Sequence, residues 1–103
     1  MKQLSDENFS QEIAKSKTLV VFSAEWCGPC RMLYPILGEL EEAMSGEMQI
    51  CKVDIDNAKK TAEEYQITSV PTLVLCQEGR EVKRTVGAAD LETLRKFVEI
   101  AGV

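Results

Sequence analysis

Apolar residues change their spacing several times along the chain, and each change marks an element. Thr18-Leu19-Val20-Val21-Phe22-Ser23 is a continuous β-branched and apolar run, the pattern of a strand buried on both faces. Met32, Leu33, Ile36, Leu37, Leu40 and Met44 then recur at helical spacing and predict a helix from Cys27 to about Met44, stopped by Gly46. Pro35 sits inside that helix, where it removes a backbone bond and crowds the carbonyl four residues back, so a kink is expected. Met48 to Ile55 reads as a second strand. Strand, helix and strand in that order form a βαβ unit, which predicts parallel strands and a right-handed crossover.

Downstream, Ala58, Ala62 and Tyr65 mark a short helix. Thr72 to Cys76 and Glu81 to Val86 read as strands joined across Glu78-Gly79, a hairpin turn. Gly87 and Asp90 introduce a last helix with Leu91, Leu94, Phe97, Val98 and Ala101 as its buried stripe. At the other end, Ser5-Asp6-Glu7 supplies an N-cap and acidic first turn for a helix carrying Phe9, Ile13 and Ala14. Met1 to Leu4 is at most a short edge strand. The expected architecture is α/β: a mixed sheet of four to five strands flanked by four helices. No repeat or Pro/Gly/Ser linker divides residues 1–103, so one domain is expected.

Composition narrows the chemistry. The chain has no histidine, which removes Ser–His–Asp and Cys–His nucleophile activation and histidine-bearing zinc sites. With 12 Lys+Arg against 17 Asp+Glu the net charge is −5, which argues against nucleic acid as a partner. The nearest basic cluster, Lys83-Arg84, reads as solvated strand surface. No run approaches the ~18–20 apolar residues of a membrane span, and Met1-Lys2-Gln3-Leu4-Ser5-Asp6-Glu7 lacks the apolar core of a signal peptide. A cytoplasmic protein is therefore expected, in a compartment where thiols stay reduced. Four cysteines fall short of the roughly 8–10% density of disulfide scaffolds, so they read as catalytic, metal-binding or simply buried.

Trp26-Cys27-Gly28-Pro29-Cys30 stands at the junction of the buried strand and the helix, the setting that makes Cys-x-x-Cys a redox motif. Unpaired N–H groups and the positive dipole end stabilise a thiolate there, and the thiolate is what attacks a disulfide. Cys27, which precedes the helix, is expected to be the exposed nucleophile. Cys30, one turn in, is the resolving thiol. Gly28 adds no bulk beside an incoming disulfide, and Pro29 is tolerated because first-turn N–H groups have no intrahelical partner to lose. The competing reading, half a zinc site, needs two more ligands; there is no second Cys-x-x-Cys, and Cys51 and Cys76 stand alone in apolar strands.

This motif, with Arg31-Met32, Pro35-Ile36, Lys52-Val53-Asp54-Ile55-Asp56, Val70-Pro71-Thr72-Leu73, Glu78-Gly79 and Val86-Gly87-Ala88, resembles the thioredoxin family in order and spacing, from about Leu4 to the end. The resemblance implies the thioredoxin fold and a protein-disulfide reductase cycling through a Cys27–Cys30 disulfide. It needs no bound cofactor or metal; a separate thioredoxin reductase would recycle it with electrons ultimately from NADPH. The resemblance further implies a cis bond before Pro71, a Val70 backbone that pairs with an extended disulfide-containing protein substrate, and a monomer. Trp26, Pro29 and Gly87-Ala88 would complete a shallow apolar contact surface. For Trp26 the alternative is ordinary packing, and for Gly87 a plain backbone turn.

The chain departs from the family at Val21, where thioredoxins usually carry a buried Asp held to accept the proton of the resolving thiol. The residue matching a partly buried lysine, Lys52, supports the active site but loses its counter-ion. It is expected to reach water or to pair elsewhere, Asp54 being the candidate considered, because burying an unpaired ammonium is costly. Glu25 is either a substitute base or a solvated loop residue. The change leaves the fold intact but bears on the rate and pH dependence of the resolving step. Cys51 and Cys76 read as buried small apolar residues, with a regulatory thiol role as the alternative. A rival of another class is a thioredoxin-fold binding or chaperone module, which would keep its function with both Cys27 and Cys30 replaced by serine. Gly28-Pro29 in place of a histidine between the cysteines favours a reductase over an oxidase or isomerase.

Overall fold

The computed structural model describes residues 1–15 and 17–99. Its elements in chain order are β1 (Lys2–Leu4), α1 (Phe9–Ile13), β2 (Lys17–Ser23), α2 (Gly28–Ala43), β3 (Gln49–Asp54), α3 (Lys59–Glu64), β4 (Thr72–Gln77), β5 (Arg80–Val86) and α4 (Leu91–Phe97). The sheet order is β1-β3-β2-β4-β5. β2 lies parallel to β3, as the βαβ reading predicts, and β1 adds to β3 in parallel as a three-residue edge. β4 runs antiparallel to both β2 and β5. Among the described residues the result is an α/β arrangement of five strands and four helices, the architecture that the resemblance implies.

Burial on both faces of β2 is complete from Thr18 to Ser23, because helices cover the sheet on each side. Leu19 and Val21 of β2, Ile50 of β3, and Leu73 and Leu75 of β4 meet Leu33, Leu37 and Leu40 of α2 and Leu94 of α4. The opposite face sets Val20, Phe22, Cys51, Val53, Val74 and Cys76 against Phe9 and Ile13 of α1, with Ala58 and Tyr65 at the two ends of α3. Of the expected α4 stripe, Leu94 and Val98 are fully buried, Leu91 and Phe97 pack at the edge, and Ala101 lies outside the described residues. The β4–β5 turn has Glu78 at φ 51° and Gly79 at φ 86°, the two successive positive angles of the expected tight hairpin.

The helix starts correct one expectation. Ser5-Asp6-Glu7 does not cap α1: its N-cap is Asn8, without a side-chain capping bond, and Asn8 Oδ1 instead accepts the Ser5 N–H at 2.8 Å. That local turn frees Asp6 to reach a different helix. Asp6 Oδ1 accepts both the Thr61 N–H at 2.9 Å and the Thr61 hydroxyl at 2.7 Å. The N-cap position of α3 is Ala58, which has no side chain able to cap, so Asp6 supplies the acceptor from 55 residues away. Both bonds to Thr61 hold the Asp6 carboxyl below the usual carboxylate range.

Candidate active site

β2 ends at Ser23 and α2 begins at Gly28, so the four intervening residues project from the C-terminal end of the sheet's central strand. Cys27 is the N-cap of α2: its backbone is extended (φ −91°, ψ 109°), and its Sγ accepts the Cys30 N–H at 3.2 Å. Pro29 occupies the first turn, where its missing N–H breaks no helical bond. Cys27 and Cys30 form a disulfide with their Cα atoms 5.3 Å apart.

The exposure of the pair differs from expectation. Cys30 is fully buried, and Cys27, expected to be exposed, keeps only 5% of its surface. Its sulfur is turned toward the first-turn N–H and the Cys30 sulfur, and Val70 packs over the pair, with the Val70 carbonyl oxygen 3.7 Å from Cys27 Sγ. Cys27 is thus not the exposed residue the sequence suggests: both sulfurs are covered in the disulfide.

Of the remaining predicted positions, Val70 packs on the cysteine pair, and Gly87 is tied by a hydrogen bond to Pro71, the residue after Val70. The Val70-Pro71 bond is cis. Gly87, at φ 98°, donates its N–H to the Pro71 carbonyl at 2.9 Å. It is therefore a turn in the left-handed region that also ties the start of the α4 loop to the Pro71 loop. Trp26 is 66% exposed, with its indole N–H donating to Asp56 Oδ2 at 2.9 Å, so it stands on the surface rather than in a core. Met32, on the first turns of α2, is 74% exposed. Gly28 and Pro29 are exposed, and nothing lies within 4 Å of where a Gly28 Cβ would stand.

Lys52 is half-buried and takes a partner that the sequence does not announce: its Nζ lies 4.8 Å from the centroid of the Tyr34 ring. Among the described residues it makes no ion pair, with Asp54 or any other carboxylate. Glu25 is exposed and offers its carbonyl to the Arg31 guanidinium at 2.6 Å, the behaviour of a solvated loop residue. Tyr34, Ser23 and Asp56 are the neighbours that sequence reasoning passed over. A helix places residues four apart on one face, and that spacing from Cys30 was the available signal for Tyr34. Among the described residues no group of three His, Cys, Asp or Glu side chains could hold a metal ion, and no helix is long and apolar enough to cross a membrane.

The family model described as Thioredoxin matches residues 1–100. The chain belongs to the thioredoxin family. It is 46% identical over 98 residues to the thioredoxin of Chlamydia trachomatis, covering 92% of both chains, and 47% identical over 98 residues to that of Chlamydia pneumoniae, covering 95% of both. Against the thioredoxin of Bacillus subtilis the identity is 38% over 94 residues, with 91% of this chain and 90% of the relative covered. Membership and the Cys27–Cys30 disulfide together make this thioredoxin-family chain a dithiol–disulfide oxidoreductase.

Proposed function

We propose that the chain acts as a single domain, residues 1–103, that reduces protein disulfides with Cys27 as nucleophile and Cys30 as resolving thiol. The observation that carries this reading is the position of Cys27 Sγ, at the N-terminus of α2 and accepting an N–H from its first turn. A thiolate there is stabilised by the helix end without a histidine. The thiolate attacks one sulfur of the target disulfide, forming a Cys27–target bond and releasing the other target sulfur as a thiolate, which takes a proton from water. Cys30 then gives up its proton and attacks Cys27 Sγ. The Cys27–Cys30 bond forms, the Cys27–target bond breaks, and the second target sulfur leaves with the electron pair. Two electrons have passed from the dithiol to the target.

Substrate contact falls to Trp26, Val70, Pro71 and Gly87, with Gly28 and Pro29 leaving the approach open. An extended chain beside Val70 would bond through its main chain, which gives affinity without demanding a sequence. In this reading the chain works in the cytoplasm as a monomer and binds no cofactor. A separate thioredoxin reductase returns it to the dithiol, with electrons from NADPH.

The test reduces the chain with dithiothreitol, removes the reductant, and mixes the chain with a model protein disulfide in a single turnover. Cys27→Ser is expected to lose turnover entirely. Cys30→Ser should accumulate a mixed disulfide with the target, detectable by mass as one substrate chain bound at Cys27. Turnover surviving in either variant overturns the assignment. Equilibration with glutathione gives the direction: a reductase pair is more reducing than the cytosolic glutathione pool. A more oxidising value sinks the proposed direction and leaves the exchange chemistry standing.

A further inference from the structure

Beneath the first turns of α2, the apolar face of the sheet carries polar groups. Leu19, Val21 and Ser23 alternate toward α2, and the register sets Lys52 opposite Val21 and Asp54 opposite Ser23, so these four positions at the ends of β2 and β3 share one face. Tyr34 lies over them. Four residues after Cys30, it packs against both the cysteine cluster and the core beneath α2. Its hydroxyl is 3.1 Å from Ser23 Oγ, and its ring carries the Lys52 ammonium 4.8 Å from the centroid. One side chain therefore touches the cysteine cluster, the end of β2 and the cation of β3.

A carboxylate at position 21 would neutralise that ammonium. An aromatic ring does not: its electron-rich face attracts the cation and leaves the charge undiminished. We propose that Tyr34 is a positioning residue for Cys30, holding the Lys52 ammonium beside the cysteine pair so that a fixed positive charge, rather than a proton-accepting carboxylate, favours the resolving thiolate. The proton of Cys30 goes to water, and the uncompensated cation stabilises the anion left behind. The other charged or titratable groups around Cys30 are few. Asp54 of β3 is buried, with Oδ1 accepting the Asp56 N–H at 2.8 Å. Glu25 and Arg31 are exposed, Cys27 is the partner thiol, and the Val70-Pro71 loop brings no ionisable side chain.

The proposal rests on Cys30 being the resolving thiol, but its test reads Cys30 directly and needs no substrate. In a Cys27→Ser background, thiolate absorbance near 240 nm is followed against pH; burial raises the Cys51 and Cys76 thiols above the ordinary thiol value. Lys52→Gln and Tyr34→Leu are each expected to leave about three- to tenfold less Cys30 thiolate at neutral pH, the scale of removing one nearby charge. Tyr34→Phe keeps the ring under the ammonium and should change it less than about twofold. The double variant Lys52→Gln/Tyr34→Leu should match Lys52→Gln alone, since Tyr34 acts through the lysine. Tyr34→Met replaces Tyr34→Leu if the latter fails to fold. A Tyr34→Leu curve superimposed on its parent, a Tyr34→Phe change as large as that of Tyr34→Leu, or additive single variants would each overturn the proposal.

Discussion

Cys51 and Cys76 carry the same functional group as Cys27 and Cys30 in the opposite setting. Both are completely buried in strand interiors, away from any helix start. Burial first, and the Glu81 charge second, push the Cys76 thiol from 9.0 to about 11. Burial first, then Glu12, also raises Cys51. For Cys76 that rise means about a hundredfold less thiolate at neutral pH. With the Cys27–Cys30 disulfide intact, the folded protein should take up no iodoacetamide at pH near 8, and two labels per chain in guanidinium. One or two labels on the folded protein would show a reactive thiol among these two. Position 21 carries a second residue-scale prediction. Val21→Asp would set a carboxylate opposite Lys52, neutralise the cation and repel a Cys30 thiolate, so the pH profile of disulfide reduction should move to higher pH. Profiles that superimpose from about pH 5 to about pH 9 would remove position 21 from the proton chemistry. The cysteine pair was legible from residue types alone, because two requirements, a thiolate and a helix start, meet at one motif. Tyr34 was not: an aromatic at helical spacing looks the same whether it fills a core or supports a cation, and only the register of Val21 and Lys52 separates the two.

At the scale of elements, α2 is what holds the site in place. Its inner side, Leu33, Leu37 and Leu40, is fully buried, and its first turn carries Cys27 and Cys30. Leu40→Ala lies at the far end of the helix from the cysteines and should cost about 2–5 kcal/mol of stability, the range for truncating a buried leucine. In the surviving folded fraction, disulfide exchange should keep its rate. A denaturant midpoint unchanged from the parent would mean that the far end of α2 relaxes without leaving a cavity. Strand and helix positions followed from periodicity because each face of this sheet is covered, which makes the apolar pattern strict. Helix starts were less legible. A capping signal such as Ser5-Asp6 reports that an acceptor is available, and does not say which helix takes it. Here the Asn8 turn diverts Asp6 to α3, and the contact spans 55 residues that no local pattern can bridge.

For the whole molecule, the edge formed by β1 and α1 is secured by Glu12. Lys2 Nζ stands 3.0 Å from its Oε2 and Lys15 Nζ 3.1 Å from its Oε1, and Lys2 first and Lys15 second hold its carboxyl below the usual range. A carboxyl depressed by folding stabilises the native state above its unfolded pKa, and that contribution disappears as pH falls through the folded value. Glu12→Gln should therefore lower the melting temperature at neutral pH and leave it unchanged once acid has protonated the parent. An equal deficit at every pH would assign the effect to packing. The sheet has a different consequence for the four thiols. Four cysteines admit three complete pairings. Cys27 and Cys30 cluster with Ala24 at the start of α2, Cys51 and Cys76 belong to the core beneath α1, and β2 separates the strands that carry those last two. Folding thus reduces a combinatorial choice to one reversible bond, and the spare thiols can enter the exchange only through a chain that has already come apart.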